Sequence, residues 1–408
     1  MQSGTATRKV RLAYVVSHPI QYQAELLRAI AADPAIDLCV FFCSDFSAGQ
    51  FEDKGFGISI SWDVPLLSGY RYVVLPRWLE THSPGTLRPI SRGFYRNFRR
   101  GINGHPFDAV WIHGYSTVNA FHAMLAAKAL GIPVLVRSDS WLGDRSRSPL
   151  KLLLKRGFFR TLSGFVDGIL SVGTRNSEYW AHYMGDKFPI FVMPYAVNNE
   201  FFARRTAEAS TRRTEFQQEL GLDPIRPVIL YASKLQKRKH CDHLLEAYIQ
   251  LRQQTQLSPQ LLIVGDGEKR QQLEERARSS GVDGIHFAGF RNQSELPRFF
   301  DLSTMFVLPA RHEPWGLIVN EAMAAGKPVI ASDQVGAAAD LLHHGENGFI
   351  FPMGDIPALR DAIIQTLAPG VAETMGEHSR EILSTWGFPE DLIALHTALR
   401  FLTRKSIS

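Results

Sequence analysis

The sequence predicts an α/β chain of two domains, each a largely parallel sheet covered by helices, facing one another across a cleft. Three observations predict it. Apolar runs of strand length alternate with helical runs, and they do so twice. A polar stretch rich in Arg, Thr and Glu, from about Ala203 to Leu220, separates the two alternations. The 408 residues are enough for two ordinary domains, each with its own core.

In the first half, Arg11–Val16 reads as a short apolar strand, and Ser17-His18-Pro19 turns the chain into a helix from about Tyr22 to Ala31. Further strands are expected at Leu38–Phe42, Ala109–His113, Pro133–Val136, Gly168–Val172 and Ile190–Met193, with helices at Thr117–Leu130 and Arg175–Tyr183. Residues 44–105 are less regular, and no detailed structure is predicted there. The second half begins at Pro227. Its expected strands are Val228–Ala232, Gln260–Val264, Ile285–Ala288, Met305–Leu308 and Pro328–Ala331. Helices are expected between them at Cys241–Gln254, Glu268–Arg278, Ser294–Phe300 and Leu317–Ala325, followed by Ile356–Leu367 and Ala372–Ser384. An amphipathic tail from Glu390 to Leu402 must cover apolar surface on its own domain or on the other. No repeat at solenoid spacing is evident.

Composition is that of a globular chain, 45% hydrophobic and 21% charged. No apolar run approaches the ~20 residues that cross a bilayer, and no signal-peptide pattern is expected at the N-terminus. Three cysteines, at 39, 43 and 241, suggest neither a disulfide framework nor a zinc spacing, so a reducing, cytoplasmic setting is expected. The net charge of +5 is uneven: residues 1–200 carry 22 basic against 15 acidic side chains, leaving −2 for the rest. Residues 88–160 hold 13 basic and 3 acidic side chains, a field that attracts phosphates or an anionic membrane.

Ligands of open α/β sheets bind beyond the carboxyl ends of the strands, so chemistry is sought at strand-to-helix turns. The strongest feature is His312-Glu313-Pro314-Trp315-Gly316-Leu317-Ile318-Val319-Asn320-Glu321, which follows Met305–Leu308 and enters a helix stopped by Gly326. Amides near Gly316, Leu317 and Ile318 suit a phosphate. A carboxylate at Glu313 or Glu321 can accept vicinal hydroxyls of a ribose or a sugar ring. The alternative is that Glu321 is a partly exposed helix residue and Glu313 a charge on the helix dipole. Lys234, Lys237, Arg238 and Lys239 follow Val228–Ala232, where they either reach a diphosphate or form a solvated basic turn. Gly265-Asp266-Gly267 permits close backbone approach, a weak signal alone. A Gly-x-Gly-x-x-Gly fingerprint is absent from both domain openings, against an NAD-dependent reading. His113 ends a strand, as a cleft residue or as a buried histidine bonded to a carbonyl. Asp139 could orient an acceptor hydroxyl, cap a helix or pair with Arg137; His18 faces the cleft by position. No close His/Asp cluster and no DxD motif is found, so no metal is expected.

In their order these segments resemble the donor-binding domain of family 4 retaining glycosyltransferases, enzymes of the GT-B fold. The resemblance rests on Ala232-Ser233-Lys234-Leu235 with Lys239, Val264-Gly265-Asp266-Gly267, Gly289-Phe290, and Glu313 to Glu321 at E-x7-E spacing. Glu321-Ala322-Met323-Ala324-Ala325-Gly326-Lys327-Pro328-Val329 follows, and Pro194-Tyr195-Ala196-Val197-Asn198 with Phe202 resembles the close of the N-terminal domain. It implies two Rossmann-like domains: 1–202 on the acceptor side, a linker at 203–222, the donor domain at 223–384 and a helical tail at 385–408 that could cross back. It also implies polysaccharide or glycoconjugate biosynthesis of bacterial type. Glu321 would bind the donor ribose, Glu313 the hydroxyls of the transferred sugar, and Lys234 and Lys239 the diphosphate, with Gly265, Phe290, Gly316 and Leu317 completing the donor site. His113 would stand near the transferred sugar; with Glu313 and Lys239 it makes the catalytic set, while His18 and Asp139 are acceptor-side candidates. Two departures stand out: Lys at 234 replaces the usual Arg, losing the bidentate fork, and Ser17-His18-Pro19-Ile20 lacks the glycine pair many members use.

The expected reaction is retaining transfer from a UDP- or GDP-linked sugar to a saccharide or lipid-linked saccharide, without metal or cofactor. The resemblance implies that the departing diphosphate itself takes the acceptor proton. A double displacement would need a carboxylate at the anomeric carbon, for which Glu313 is the obvious candidate, yet its role by resemblance is to bind hydroxyls, so same-side transfer is expected. Residues 88–100 and 145–160 interleave cations with apolar side chains. They read either as surfaces for an anionic membrane, on the inner face of the cytoplasmic membrane, or as core-facing helices with snorkelling cations. No nucleic-acid module accompanies the charge. The rival readings are a GT-B-like sugar-nucleotide epimerase and a non-catalytic sugar-nucleotide-binding protein.

Overall fold

The computed structural model of the chain describes residues 8–81, 85–143 and 148–405. In chain order the first half holds β1 (Val10–Val16), β2 (Ile36–Phe42), β3 (Phe51–Asp53), β4 (Ile58–Ile60), β5 (Arg71–Val74), β6 (Arg77–Leu79) and β7 (Ile90–Ser91). It continues with β8 (Ala109–His113), β9 (Val134–Ser138), β10 (Gly168–Ser171) and β11 (Ile190–Val192). Seven of these make a parallel sheet in the order β11-β10-β9-β8-β1-β2-β5, with β3/β4 and β6/β7 as separate antiparallel pairs. The second half holds β12 (Val228–Ala232), β13 (Gln260–Val264), β14 (Ile285–Gly289), β15 (Met305–Leu308), β16 (Val329–Ser332) and β17 (Gly348–Phe351), ordered β14-β13-β12-β15-β16-β17. Both sheets reverse strand order once, between β1 and β8 and between β12 and β15. Such reversals open a crevice at the carboxyl ends of the flanking strands. This is the GT-B arrangement of two Rossmann-like domains.

The central strands are buried on both faces, as strands sandwiched by helices must be. Leu230 and Tyr231 of β12 and Tyr14 of β1 are fully buried. Strands β8, β12, β13 and β15 fall on the expected residues. The edge strands β5 and β17 were not anticipated. Arg71-Tyr72-Val73-Val74 lies in the irregular region and is half exposed, so it lacks the apolar run that marks a buried strand.

The polar stretch between the halves is not extended. Helix Asn199–Ala209 and helix Arg213–Glu219 occupy it, joined by a short 3-10 turn. Phe202 and Phe216 anchor them in the second core, and helix Asn199–Ala209 packs on helices Leu296–Leu302 and Ile318–Ala324. Ion pairs Arg204–Glu208 and Arg205–Glu208 occupy the exposed face and add modest support to a helix anchored by its phenylalanines.

The tail does cross back. Helix Phe388–Lys405 lays Leu395, Ala398, Leu399 and Leu402 onto the N-terminal core beside Leu12, Tyr14 and Trp111. Trp386, just before it, stacks on Trp315 at 5.7 Å and donates Nε1–H to the Tyr195 carbonyl.

Candidate functional site

The switch point of the second sheet opens a cavity of about 330 Å³. Lys234, Lys239, Gly265, Phe290, Glu313, Gly316, Leu317 and Glu321 all line it, so the donor-side candidates converge on one place. The first half contributes Gln21, Tyr22, Phe56 and Trp62 to its walls, four residues that sequence reading missed. Phe56 and Trp62 lie in the region left without predicted structure.

Lys239 sits in a short 3-10 turn after β12 and is buried, which excludes a solvated turn for this lysine. Its Nζ lies 2.5 Å from Glu313 Oε2, and Arg238 Nη1 donates to the same oxygen at 2.9 Å. Burial alone would raise the Glu313 pKa. Lys239 and then Arg238 outweigh it and hold the carboxylate ionised, below the ordinary value. Burial likewise lowers the Lys239 ammonium, against the pull of Glu313.

Glu321 stands in helix Ile318–Ala324 at 8% exposure, not the partly exposed helix residue of the alternative. Its Oε2 is buried and has no hydrogen-bond partner among the described residues. Burial lifts its pKa to about 8, so the carboxyl is largely protonated at neutral pH and can both donate and accept. The helix is fixed from the far side: Trp315 Nε1 donates to Asn320 Oδ1 at 2.9 Å, and Asn320 Nδ2 donates to the Tyr195 carbonyl at 3.0 Å. Glycine is required at the turn after β13. Gly265 has φ +134°, and a Cβ there would lie 2.0 Å from the Ser233 carbonyl oxygen.

Lys234 is engaged across the cleft. Its Nζ donates to both carboxylate oxygens of Asp53 at 2.8 and 2.9 Å, and it lies 4.6 Å from the Phe56 ring centre.

The first-sheet candidates lie apart from this lining. His18 follows β1 and lines a neighbouring hollow with Asp53 and Trp62; Ser17 Oγ is 2.8 Å from its Nδ1. Burial lowers its pKa to about 4. His113 ends β8, and burial, then Arg137 and His18, lower its pKa to about 3, so the imidazole is neutral near pH 7. Its Nδ1 is buried without a partner among the described residues, which removes the carbonyl-bonded alternative for that atom. Asp139 follows β9, where its charge raises the pKa of Tyr22 and Tyr195. Pairing of Arg137 with Asp139 is corrected. Arg137 is fully buried and donates through Nη2 to Asp391 of the C-terminal helix at 3.3 Å and to the Met193 and Pro194 carbonyls. A partner 254 residues away leaves no local signal.

The expectation of no close His/Asp cluster is also corrected. His240, Asp242 and His243 place ligand atoms within 4.8 Å of one another at the start of helix Cys241–Gln254. His240 adopts a left-handed backbone (φ 48°) that gathers them, a turn the sequence does not advertise.

The basic segments divide between both earlier alternatives. In helix Pro149–Leu162 the C-terminal part is core, with Phe159 and Leu162 buried and Lys155 over Tyr179 at 4.4 Å. Its N-terminal part exposes Leu150, Leu152, Leu153 and Leu154 beside Lys151 and Arg156. Arg145 and Arg147 lie outside the described residues. Helix Phe94–Arg100 buries Phe94 and Phe98 and exposes Arg96, Arg99 and Arg100. Among the described residues no helix is long and apolar enough to cross a membrane.

The sequence profile of "Glycosyl transferases group 1" matches residues 212–381. The chain is 26% identical over 272 residues to an alpha-D-kanosaminyltransferase of Streptomyces kanamyceticus, covering 64% of this chain and 68% of the relative. It is 27% identical over 334 residues to a GDP-mannose-dependent alpha-(1-6)-phosphatidylinositol monomannoside mannosyltransferase of Mycobacterium tuberculosis, covering 79% and 82%. Among solved structures, a glycosyltransferase from Rickettsia africae superposes with a TM-score of 0.72 over 97% of this chain and 98% of that one, at 15% identity. That likeness carries the fold.

Proposed function

We propose that this chain, which belongs to the glycosyl transferases group 1 family through residues 212–381, transfers a sugar from a nucleoside-diphosphate donor to a saccharide or lipid-linked saccharide with retention of anomeric configuration. One observation carries the reading: a single cavity at a sheet switch point joins a buried carboxyl with an unsatisfied oxygen, Glu321, to a carboxylate held by two cations, Glu313. The two ends differ in the way a nucleotide sugar differs along its length.

Glu321 hydrogen-bonds the donor ribose, and its protonated form donates as well as accepts. Glu313 accepts from hydroxyls of the transferred sugar. Lys239 and Lys234 meet the diphosphate and the charge that grows on it as the glycosidic bond breaks. Gly265, Gly316 and Leu317 let backbone approach the ligand, and Phe290 packs on the donor. His113, neutral at pH 7, acts near the transferred sugar as a hydrogen-bonding group and not as a charge. His18 and Asp139 face the acceptor side.

Glu313 is tied to Lys239 and Arg238 through one oxygen, which disfavours it as a free nucleophile at the anomeric carbon. Transfer therefore proceeds on one face, with the departing diphosphate taking the acceptor proton. Lysines and amides neutralise that diphosphate, so no metal is required. Residues 1–202 and 223–384 form the acceptor and donor domains, with 203–222 joining them and 385–408 as the tail. The exposed leucines and cations of Pro149–Leu162, with the arginines of Phe94–Arg100, fit an anionic membrane surface on the cytoplasmic side. A relative named for a phosphatidylinositol acceptor is consistent with such a location.

The test is incubation with UDP- and GDP-linked sugars and a panel of saccharide and lipid-linked acceptors, reading nucleoside diphosphate release and product mass. Acceptor-dependent release with a product heavier by one sugar is expected. Conversion of the donor sugar without any acceptor would point to the epimerase instead.

A further inference from the structure

The antiparallel pair β3/β4 belongs to the first half yet reaches into the cavity of the second. Its first strand ends in Asp53, whose carboxylate takes both short hydrogen bonds from Lys234 Nζ. The contact is close along its length. A Cβ on Gly55 would come within 2.7 Å of Lys234 Cδ, and one on Gly267 would lie 3.1 Å from the Gly55 carbonyl oxygen. Phe56 packs edge-on against Phe290 at 4.7 Å. Further along, Asn292 Nδ2 donates to the Ser61 carbonyl at 2.7 Å, and Ser294 donates to Asp63.

The cations of this site are not equivalent. Lys239 and Arg238 find their counter-charge within their own domain, in Glu313. Lys234 finds its own across the cleft, in an acid from the other half. Asp53 has partners besides Lys234: its Oδ1 also accepts the Gly55 and Phe56 amides at 2.7 and 3.0 Å. Burial works to raise the Asp53 pKa, but Lys234 and these amides lower it overall, so the group is an anion at assay pH.

We propose that Asp53 is a donor-discriminating residue: its carboxylate holds the position of a donor phosphate on Lys234 and yields it only to a ligand whose phosphates reach that lysine. This rests on the donor-site reading above and adds to it an acid from the opposite domain. A nucleoside diphosphate displaces Asp53, and the hairpin keeps its outer anchors at Ser61 and Asp63. A bare nucleoside leaves the ion pair intact. Asp53 is a positioning residue, acting through Lys234.

The full chain and its Asp53→Asn variant are titrated calorimetrically with UDP, GDP, uridine and guanosine, and hydrogen exchange is followed at residues 51–60. Asn keeps an oxygen for the two turn amides and removes the competing charge. The variant is expected to bind the preferred nucleoside diphosphate about fivefold more tightly, the size of a modest ion pair, with nucleoside affinity unchanged. Adding that diphosphate to the parent chain should raise exchange at 51–60. Equal or weaker diphosphate binding by the variant, or greater protection of 51–60, overturns the proposal while leaving the donor site standing. Failure of the parent chain to bind either diphosphate overturns the donor-site reading itself, and this proposal with it.

Discussion

Lys239 Nζ and Glu313 Oε2 lie 2.5 Å apart with both side chains about nine-tenths buried, in the crevice where the second sheet reverses its strand order. The pair welds the turn after β12 to the loop after β15. On the reading proposed above, its cation serves the diphosphate and its carboxylate the transferred sugar.

Removing the carboxylate therefore acts on chemistry more than on nucleotide affinity, whereas removing the lysine also takes a charge from the diphosphate. Glu313→Gln and Lys239→Ala are each expected to lower kcat about 100-fold, the scale for losing one preorganised charge. UDP or GDP affinity of Glu313→Gln should stay within about threefold, since the ribose contact is untouched. Steady-state kinetics with nucleotide titration check this; near-parental kcat in either variant contradicts it.

Glu321 gives a pH signature. Its folded pKa of about 8 lies above the ordinary 4.5, so between these values the folded chain holds a proton that the unfolded chain has lost. Stability from this carboxyl is complete below about pH 4.5 and is lost as pH rises towards 8. Gln does not titrate. The melting temperature of Glu321→Gln relative to the parent should climb from pH 5 to pH 8 and then level off, whereas a gap that ignores pH counts against a buried carboxyl.

Arg137 and Asp391 hold the C-terminal helix to the first sheet, both at 0% exposure. Burial lifts Asp391 to about 7 in spite of Arg137. Asp391→Ala leaves a guanidinium buried with carbonyl partners alone, and about 3 kcal/mol of unfolding free energy should be lost. Urea denaturation measures it, and a change below about 1 kcal/mol would mean the helix docks through its leucines.

Chelation separates the His240–Asp242–His243 cluster from catalysis. EDTA is expected to leave the transfer rate within about twofold if, as proposed, lysines and amides meet the diphosphate. A loss restored by added divalent metal would reject metal-independent transfer.

The exposed leucines of helix Pro149–Leu162 have their own assay. The chain should co-float with liposomes containing anionic lipid, and Leu153→Glu with Leu154→Glu should abolish flotation without changing the melting temperature, because both leucines are exposed. Unchanged flotation would remove this helix from the contact.

Much of this was legible in the sequence because buried parallel strands are continuous apolar runs, as Val228–Ala232 and Gln260–Val264 are. The cavity at the second sheet's switch point was legible because its residues sit at strand ends, where the topology converges. Other features were not. Arg137–Asp391 and Lys234–Asp53 join residues 254 and 181 positions apart. The hairpin around Phe56 has strands of three residues, too short for a periodic signal. His240 gathers its cluster through a backbone conformation that usually marks glycine. The polar stretch after Phe202 forms helix because two phenylalanines anchor it.

The most direct measurement of the account is the anomeric configuration of the product, read by NMR from the one-bond carbon–hydrogen coupling at the transferred sugar's anomeric centre. Retention of the donor's configuration is predicted, as same-face transfer with Glu313 held by Lys239 and Arg238 requires. A product of opposite configuration would contradict same-face transfer.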